Sequence, residues 1–147
     1  MSKAEILQIV TGGIGTVGFA ILFNVRGKRL VFTGLGGLIA WGLFIILSKL
    51  IPNEPLNYFI VALLISIYAE VMARVLKTPT TGFVTLSLIP LIPGGSLYYT
   101  MAYAFQSDFA RFLDKAIYTL QLASALALGI IIASAFIRIF LKILKKI

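Results

Sequence analysis

Glu70 is the one carboxylate of this chain set well inside an apolar stretch, and Arg74 follows it at i+4, on the same helical face. A charge at the bilayer centre costs at least ~2.5 kcal/mol on insertion scales, so a carboxylate there is a functional candidate by default. Glu70 lies close to one end of its stretch, which lowers that cost. Two roles fit it. It can form a local pair with Arg74 that snorkels to the surface, or it can carry a proton or meet the ammonium group of a substrate. The second chemical feature is the run Leu88-Ile89-Pro90-Leu91-Ile92-Pro93-Gly94-Gly95-Ser96. Pro90 and Pro93 each remove a backbone N–H and crowd the preceding turn, so a continuous helix cannot pass cleanly through them. In lipid such a break is tolerated only where protein or a water-filled cavity covers it. A half-helix restarting at Gly94-Gly95-Ser96 would offer free N–H groups and a positive dipole end to a substrate carboxylate. Pro90 and Pro93 would hold the break open. The plainer alternative is a proline kink in a packed helix. Asn24 ends the first apolar stretch and is a candidate for capping, for a helix–helix hydrogen bond or for substrate contact. Ser87, Thr100 and Gln121 are further polar groups within apolar stretches.

The elements that position these residues belong to a membrane. Of 147 residues, 60% are hydrophobic and only 12% are charged, with a mean hydropathy of +1.04. A soluble domain of this length cannot bury so much apolar side chain. The net charge of +8 comes from basic residues placed singly or in short groups between apolar runs. That distribution argues against nucleic-acid binding. Cysteine and histidine are both absent, which removes thiol chemistry and the commonest general base and metal ligand. No cofactor or metal is expected, and an enzyme is disfavoured. Gly13-Ile14-Gly15-Thr16-Val17-Gly18 matches the dinucleotide fingerprint in letters only, since it lies within an apolar stretch instead of after a strand. No Walker motif occurs, so direct ATP hydrolysis is not indicated. A cleaved signal peptide is not expected, because the first apolar run is longer than a usual signal core.

The pattern predicts an all-α integral membrane module of five transmembrane helices over residues 5–24, 30–50, 56–76, 79–105 and 116–140, the fourth broken at Pro90 and Pro93. Each stretch reaches the ~20 residues needed to cross ~30 Å of hydrocarbon. With the N-terminus outside, nine cations fall inside (Arg26, Lys28, Arg29, Arg74, Lys77, Arg138, Lys142, Lys145, Lys146) and four outside (Lys3, Lys49, Arg111, Lys115). The positive-inside bias therefore favours five crossings with the C-terminus cytoplasmic. A re-entrant fourth stretch would put the C-terminal cations outside. Tyr58, Phe59, Tyr98, Tyr99, Tyr103 and Tyr118 fall toward the outer end, as an interfacial belt would. Residues 106–115 read as an amphipathic helix on the outer surface or as an extension of the fourth span. Arg138, Lys142, Lys145 and Lys146 are expected to hold the last helix against anionic inner-leaflet lipid, with no part in transport. Small residues in the first two stretches, and Ala125, Gly129 and Ala133 in the fifth, allow close helix packing.

Gly18-Phe19-Ala20-Ile21-Leu22-Phe23-Asn24-Val25, the basic turn and the Gly-rich second stretch resemble the C-terminal module of the threonine/serine exporter family. So does Leu88-Ile89-Pro90-Leu91-Ile92-Pro93-Gly94-Gly95 with its Tyr-containing continuation. The resemblance covers nearly the whole chain. It implies a small subunit that works with a larger membrane subunit carrying the N-terminal module. It also implies proton-driven export of threonine and serine or, in some members, a small dicarboxylate such as succinate. Asn24, Pro90, Pro93 and Gly94 belong to the family pattern by this resemblance. An odd number of crossings suits inverted modules around a midplane site.

The expectation is a multi-pass plasma-membrane subunit of a secondary exporter for small hydrophilic carboxylates. Gly94, Gly95 and Ser96 would take the carboxylate, and Glu70 would serve coupling or the ammonium group. Expected partners are the larger subunit, the substrate and membrane lipid, with homo-oligomers open. The rival reading is a membrane scaffold that stabilises a partner without transporting.

Overall fold

The computed structural model describes residues 2–144, which form six α-helices and one 3-10 turn, with no strand among them. They are α1 (Lys3–Leu22), α2 (Lys28–Leu50), α3 (Glu54–Val75), α4 (Thr80–Ser87), α5 (Gly94–Phe105) and α6 (Phe109–Leu144), with the 3-10 turn at Ile89–Leu91. Four helices are long and apolar enough to cross a membrane, and there are five such elements if α4 and α5, bent by 46°, count as one span.

Local chemistry sets the ends. Ser2 and Glu5 close a capping box on α1, with Glu5 N–H donating to Ser2 Oγ at 3.2 Å and Ser2 N–H to Glu5 Oε2 at 3.0 Å. Asn53 Oδ1 caps α3 by accepting from Leu56 N–H at 3.0 Å. Three helices end on a left-handed residue that is not glycine: Asn24 after α1 (φ 58°), Lys77 after α3 (φ 50°) and Ser107 after α5 (φ 56°). In each, the following N–H reaches back to a carbonyl five residues earlier: Val25 to Ala20, Thr78 to Ala73 and Asp108 to Tyr103. This is the Schellman closure, which satisfies orphan carbonyls and turns the chain.

α3 is the central helix. Val61, Ala62, Ile65, Ala69 and Ala73 are almost wholly buried, with α2, α4 and α6 packed around them. Apolar burial does not drive association in lipid, so close backbone approach must. At Gly129 of α6 an added Cβ would stand 2.7 Å from the Phe59 carbonyl oxygen of α3. At Gly34 of α2 it would stand 2.6 Å from Val17 Cγ2 of α1. The far side of α6 is left open, with Ile131, Phe136 and Ile139 largely exposed.

Residues 106–115 differ from expectation. They are neither a separate surface helix nor an extension of the fourth stretch. Ser107 stops α5, and Asp108 then caps a new helix, its Oδ1 accepting from Arg111 N–H at 3.2 Å. Neither Gly nor Pro stands between Phe109 and Leu128, so that helix runs on without interruption into the fifth apolar stretch. Lys145 and Lys146, expected to meet lipid, lie outside the described residues.

Candidate functional site

Glu70 is 7% exposed on α3. Arg74 donates to its Oε2 at 3.1 Å, one turn along the same helix, and Thr80 at the start of α4 donates to the same oxygen at 3.4 Å. The turn through Lys77 brings Thr80 back to this face of α3. The pair is lopsided, with the Arg74 side chain 49% exposed and that of Glu70 only 9%. Arg74 snorkels while the carboxylate stays within the bundle.

A groove of about 620 Å³ opens beside this pair. α3 forms its floor through Glu70 and Arg74. One wall comes from Pro79, Thr80, Thr81, Val84, Thr85 and Leu88, and the other from Leu126, Ile130, Ser134 and Arg138 of α6. Ile92 closes the far end. That volume suits a small-molecule site, typically ~300–1,000 Å³ with mostly apolar walls and a few convergent polar groups. Here the polar groups gather at one end: one carboxylate, two guanidiniums and four hydroxyls. Among the described residues Arg138 makes no ion pair. A guanidinium on an apolar wall can hold a carboxylate in fork geometry, and Glu70, which lines the same groove, is of the type that receives an ammonium group.

The sequence-derived candidates separate. Glu70 lines the groove. Pro90 does not; it packs against α1, its Cβ 3.6 Å from where a Cβ on Gly12 would stand. Leu88 and Leu91 are buried around it. Pro93, Gly94, Gly95 and Ser96 follow Ile92 directly, so the first turn of α5 begins where the groove ends. Gly94 and Gly95 are exposed, with nothing within 4 Å of an added Cβ, and no side chain caps that turn. Asn24 is not brought to either place. It is the exposed left-handed cap of α1, about 18 Å along that helix from Gly12 by helical rise.

Arg138, Ser134, Thr80, Thr81 and Thr85 were missed as site residues. The signals were present. Ser134 and Arg138 are spaced i, i+4, and Thr80-Thr81 with Thr85 puts hydroxyls on both sides of a first helical turn. Arg138 instead looked like one of several cations at a helix end.

The opposite end of the bundle is built differently. Glu5 pairs with Lys49 across α1 and α2 at 2.8 Å. Tyr118 of α6 donates to Glu54 of α3, Lys115 lies over the Tyr118 ring at 5.0 Å, and Asn57 Nδ2 donates to the Ile51 carbonyl at 3.0 Å.

No curated protein and no solved structure matches the chain. A family model does: threonine/serine exporter, ThrE, matches residues 8–136. The match spans most of the sequence and takes in the groove up to Ser134, two residues beyond whose limit stands Arg138. The chain therefore belongs to the threonine/serine exporter family.

Proposed function

We propose that the chain is the small subunit of a plasma-membrane exporter for small hydrophilic carboxylates, threonine and serine first among them, and that the groove between α4 and α6 is its substrate site. The observation that supports this reading most is the meeting of Glu70, Arg74 and Arg138 with Thr80, Thr85 and Ser134 at one end of an apolar groove. Arg138 takes the substrate carboxylate. Glu70 exchanges Arg74 for the substrate ammonium group or for a proton, which couples export to the proton gradient in an antiport cycle. The Glu70 end faces the cytoplasm, where Arg26, Lys28, Arg29, Arg74, Lys77, Arg138 and Lys142 also lie. The module crosses five times with its N-terminus outside, α4 and α5 forming one broken span. Substrate moves from the basic end toward Ile92, where the uncapped amides of Gly95 and Ser96 receive it near mid-membrane. A larger membrane subunit completes the pathway, and the two modules rock to give alternating access.

Efflux of labelled threonine from cells carrying both subunits tests this. Arg138→Gln and Glu70→Gln should each lower efflux by about 30-fold or more, the usual result of removing one member of a desolvated charge contact. Both variants should still assemble with the larger subunit. Normal efflux in both would leave the scaffold reading in place. Retained succinate efflux in Glu70→Gln, with threonine efflux lost, would assign the ammonium contact to Glu70.

A further inference from the structure

The broken span and α6 form a wedge. At the Glu70 end, α4 and α6 are held apart by the groove. Beyond Ile92 the same span continues as α5, bent by 46°, and there it packs along α6. α5 therefore stands between the groove and the Tyr118 end of the bundle. Its hold on the rest of the molecule is slight. Among the described residues only α6 packs extensively against it, and Thr100 is the one residue of α5 that is buried. Its start is a joint. Pro93 has no N–H, and the Gly94 N–H reaches back only to the Ile92 carbonyl, at 2.6 Å. Nothing stands within 4 Å of a Cβ added at Gly94 or Gly95. Moving elements turn on a few residues of this kind at a helix end.

Thr100 carries the fastening. Its hydroxyl stands 3.1 Å from that of Thr119 on α6. Each hydroxyl also reaches a carbonyl of its own helix, Thr100 to Ser96 and Thr119 to Lys115, both at 2.8 Å. A hydroxyl has one hydrogen to give. Two hydrogens serve three contacts, so the cross-helix bond forms only when one threonine turns away from its own carbonyl. A hydroxyl rotation makes or releases it. α6, by contrast, is anchored. Tyr118, next to Thr119, donates to Glu54 of α3, and Gly129 brings the α3 and α6 backbones together. That leaves α5 as the part able to move.

We infer that α5 is a gate on the groove, hinged at residues 93–95 and latched shut by Thr100 on Thr119. The inference rests on the groove being the substrate site proposed above. The structure then holds the module open at Glu70 and shut at Thr100. Swinging α5 off α6 extends the wedge through to the other side.

The gate can be read without transport, so its failure is distinguishable from failure of the exporter reading. The chain has no cysteine, so Ser96→Cys gives it a single thiol one turn from the latch, on the hinge side. In cells carrying the assembled exporter, a membrane-impermeant maleimide added outside should alkylate that thiol slowly. Thr119→Val, isosteric and lacking only the hydroxyl, should speed the reaction by about fivefold, the worth of one hydrogen bond. Tyr118→Phe, which loosens α6 from α3 instead, should leave the rate unchanged. Equal rates with the native latch and with Thr119→Val would overturn the inference, as would an equal rise in Tyr118→Phe, which marks general loosening. A second arm replaces the reporter by the pair Thr100→Cys and Thr119→Cys, whose hydroxyl oxygens stand close enough for two sulfurs to join. Bridging the pair should stop threonine efflux, and reduction should restore it. The bridged, purified complex should still bind threonine with native affinity, because the groove stays open at Glu70. Normal efflux through the bridged complex would overturn the gate, and so would loss of binding along with efflux.

Discussion

The two ends of the bundle use the same residue types to opposite effect. At the Glu54 end two acids reach across helices, Glu5 to Lys49 between α1 and α2 and Glu54 to Tyr118 between α3 and α6, while Asp108 pairs locally with Arg111. At the Glu70 end the acid is ion-paired within its own helix, to Arg74, and meets α4 through the longer contact from Thr80 at 3.4 Å, while the cation on α6 stands across a groove without an ion pair among the described residues. Polar groups satisfied between helices act as a clasp. Polar groups satisfied locally leave the helices apart and their facing charges available. The difference teaches that connectivity of the contacts, more than the charges themselves, marks which end can receive a ligand.

The largest effect expected from breaking this contrast is on transport. Arg138→Gln should lower threonine efflux by about 30-fold or more and leave the thermal midpoint of the complex near that of the native protein. A large fall in midpoint would make Arg138 a structural residue. Next comes the frame that both ends share. Gly129→Ala would drive a methyl toward the Phe59 carbonyl oxygen and the Leu63 amide of α3, 2.7 and 3.0 Å away. Neither backbone atom can yield as a side chain would, so the helices must separate. We expect a loss of about 2–3 kcal/mol in reversible unfolding, within the usual range for overpacking. No loss would mean that α3 and α6 are not held at backbone contact.

Smaller changes sharpen the contrast further. Tyr118→Phe removes the clasp from Glu54 and should cost about 1 kcal/mol of stability, the ordinary worth of one hydrogen bond, while sparing substrate affinity. The smallest effect has the opposite sign. Lys77 holds a left-handed backbone in the turn that sets Thr80 against Glu70. Lys77→Gly relieves a conformation costing roughly 1 kcal/mol for a side-chain-bearing residue. Part of that gain is cancelled by the freer unfolded chain. A stability gain of a few tenths to 1 kcal/mol, read by chemical denaturation, is the expected outcome.

Much of the helical content was legible in the sequence because hydropathy and length report it directly. Glu70 with Arg74 announced a pair, whereas the capping box of Ser2 and Glu5 went unread although both residue types stand at the right spacing. The rest depended on features that periodicity does not carry. Residues 106–115 were amphipathic enough to look like a surface helix or an extension of the fourth span; the left-handed turn at Ser107 and the cap at Asp108 part α5 from the helix that begins at Phe109. Arg138 sat among C-terminal cations and took on their reading, since nothing in one helix shows which neighbour is missing. The groove exists because α3 packs against both α4 and α6 while those two stay apart, and no single segment encodes that gap. Asn24 was a candidate for capping, for a helix–helix hydrogen bond or for substrate contact, and its left-handed backbone after α1 fits the first of these.

The chain contains no cysteine, so Ser134→Cys gives a single thiol on the α6 wall of the groove. Its rate of alkylation by a small maleimide, measured in the assembled exporter with and without saturating threonine, tests the placement of the substrate most directly. Threonine should slow the reaction several-fold, while a thiol at Ser48 on the opposite end should react at the same rate either way. A Ser134→Cys rate unchanged by threonine, by serine and by succinate would contradict a substrate seated between α4 and α6.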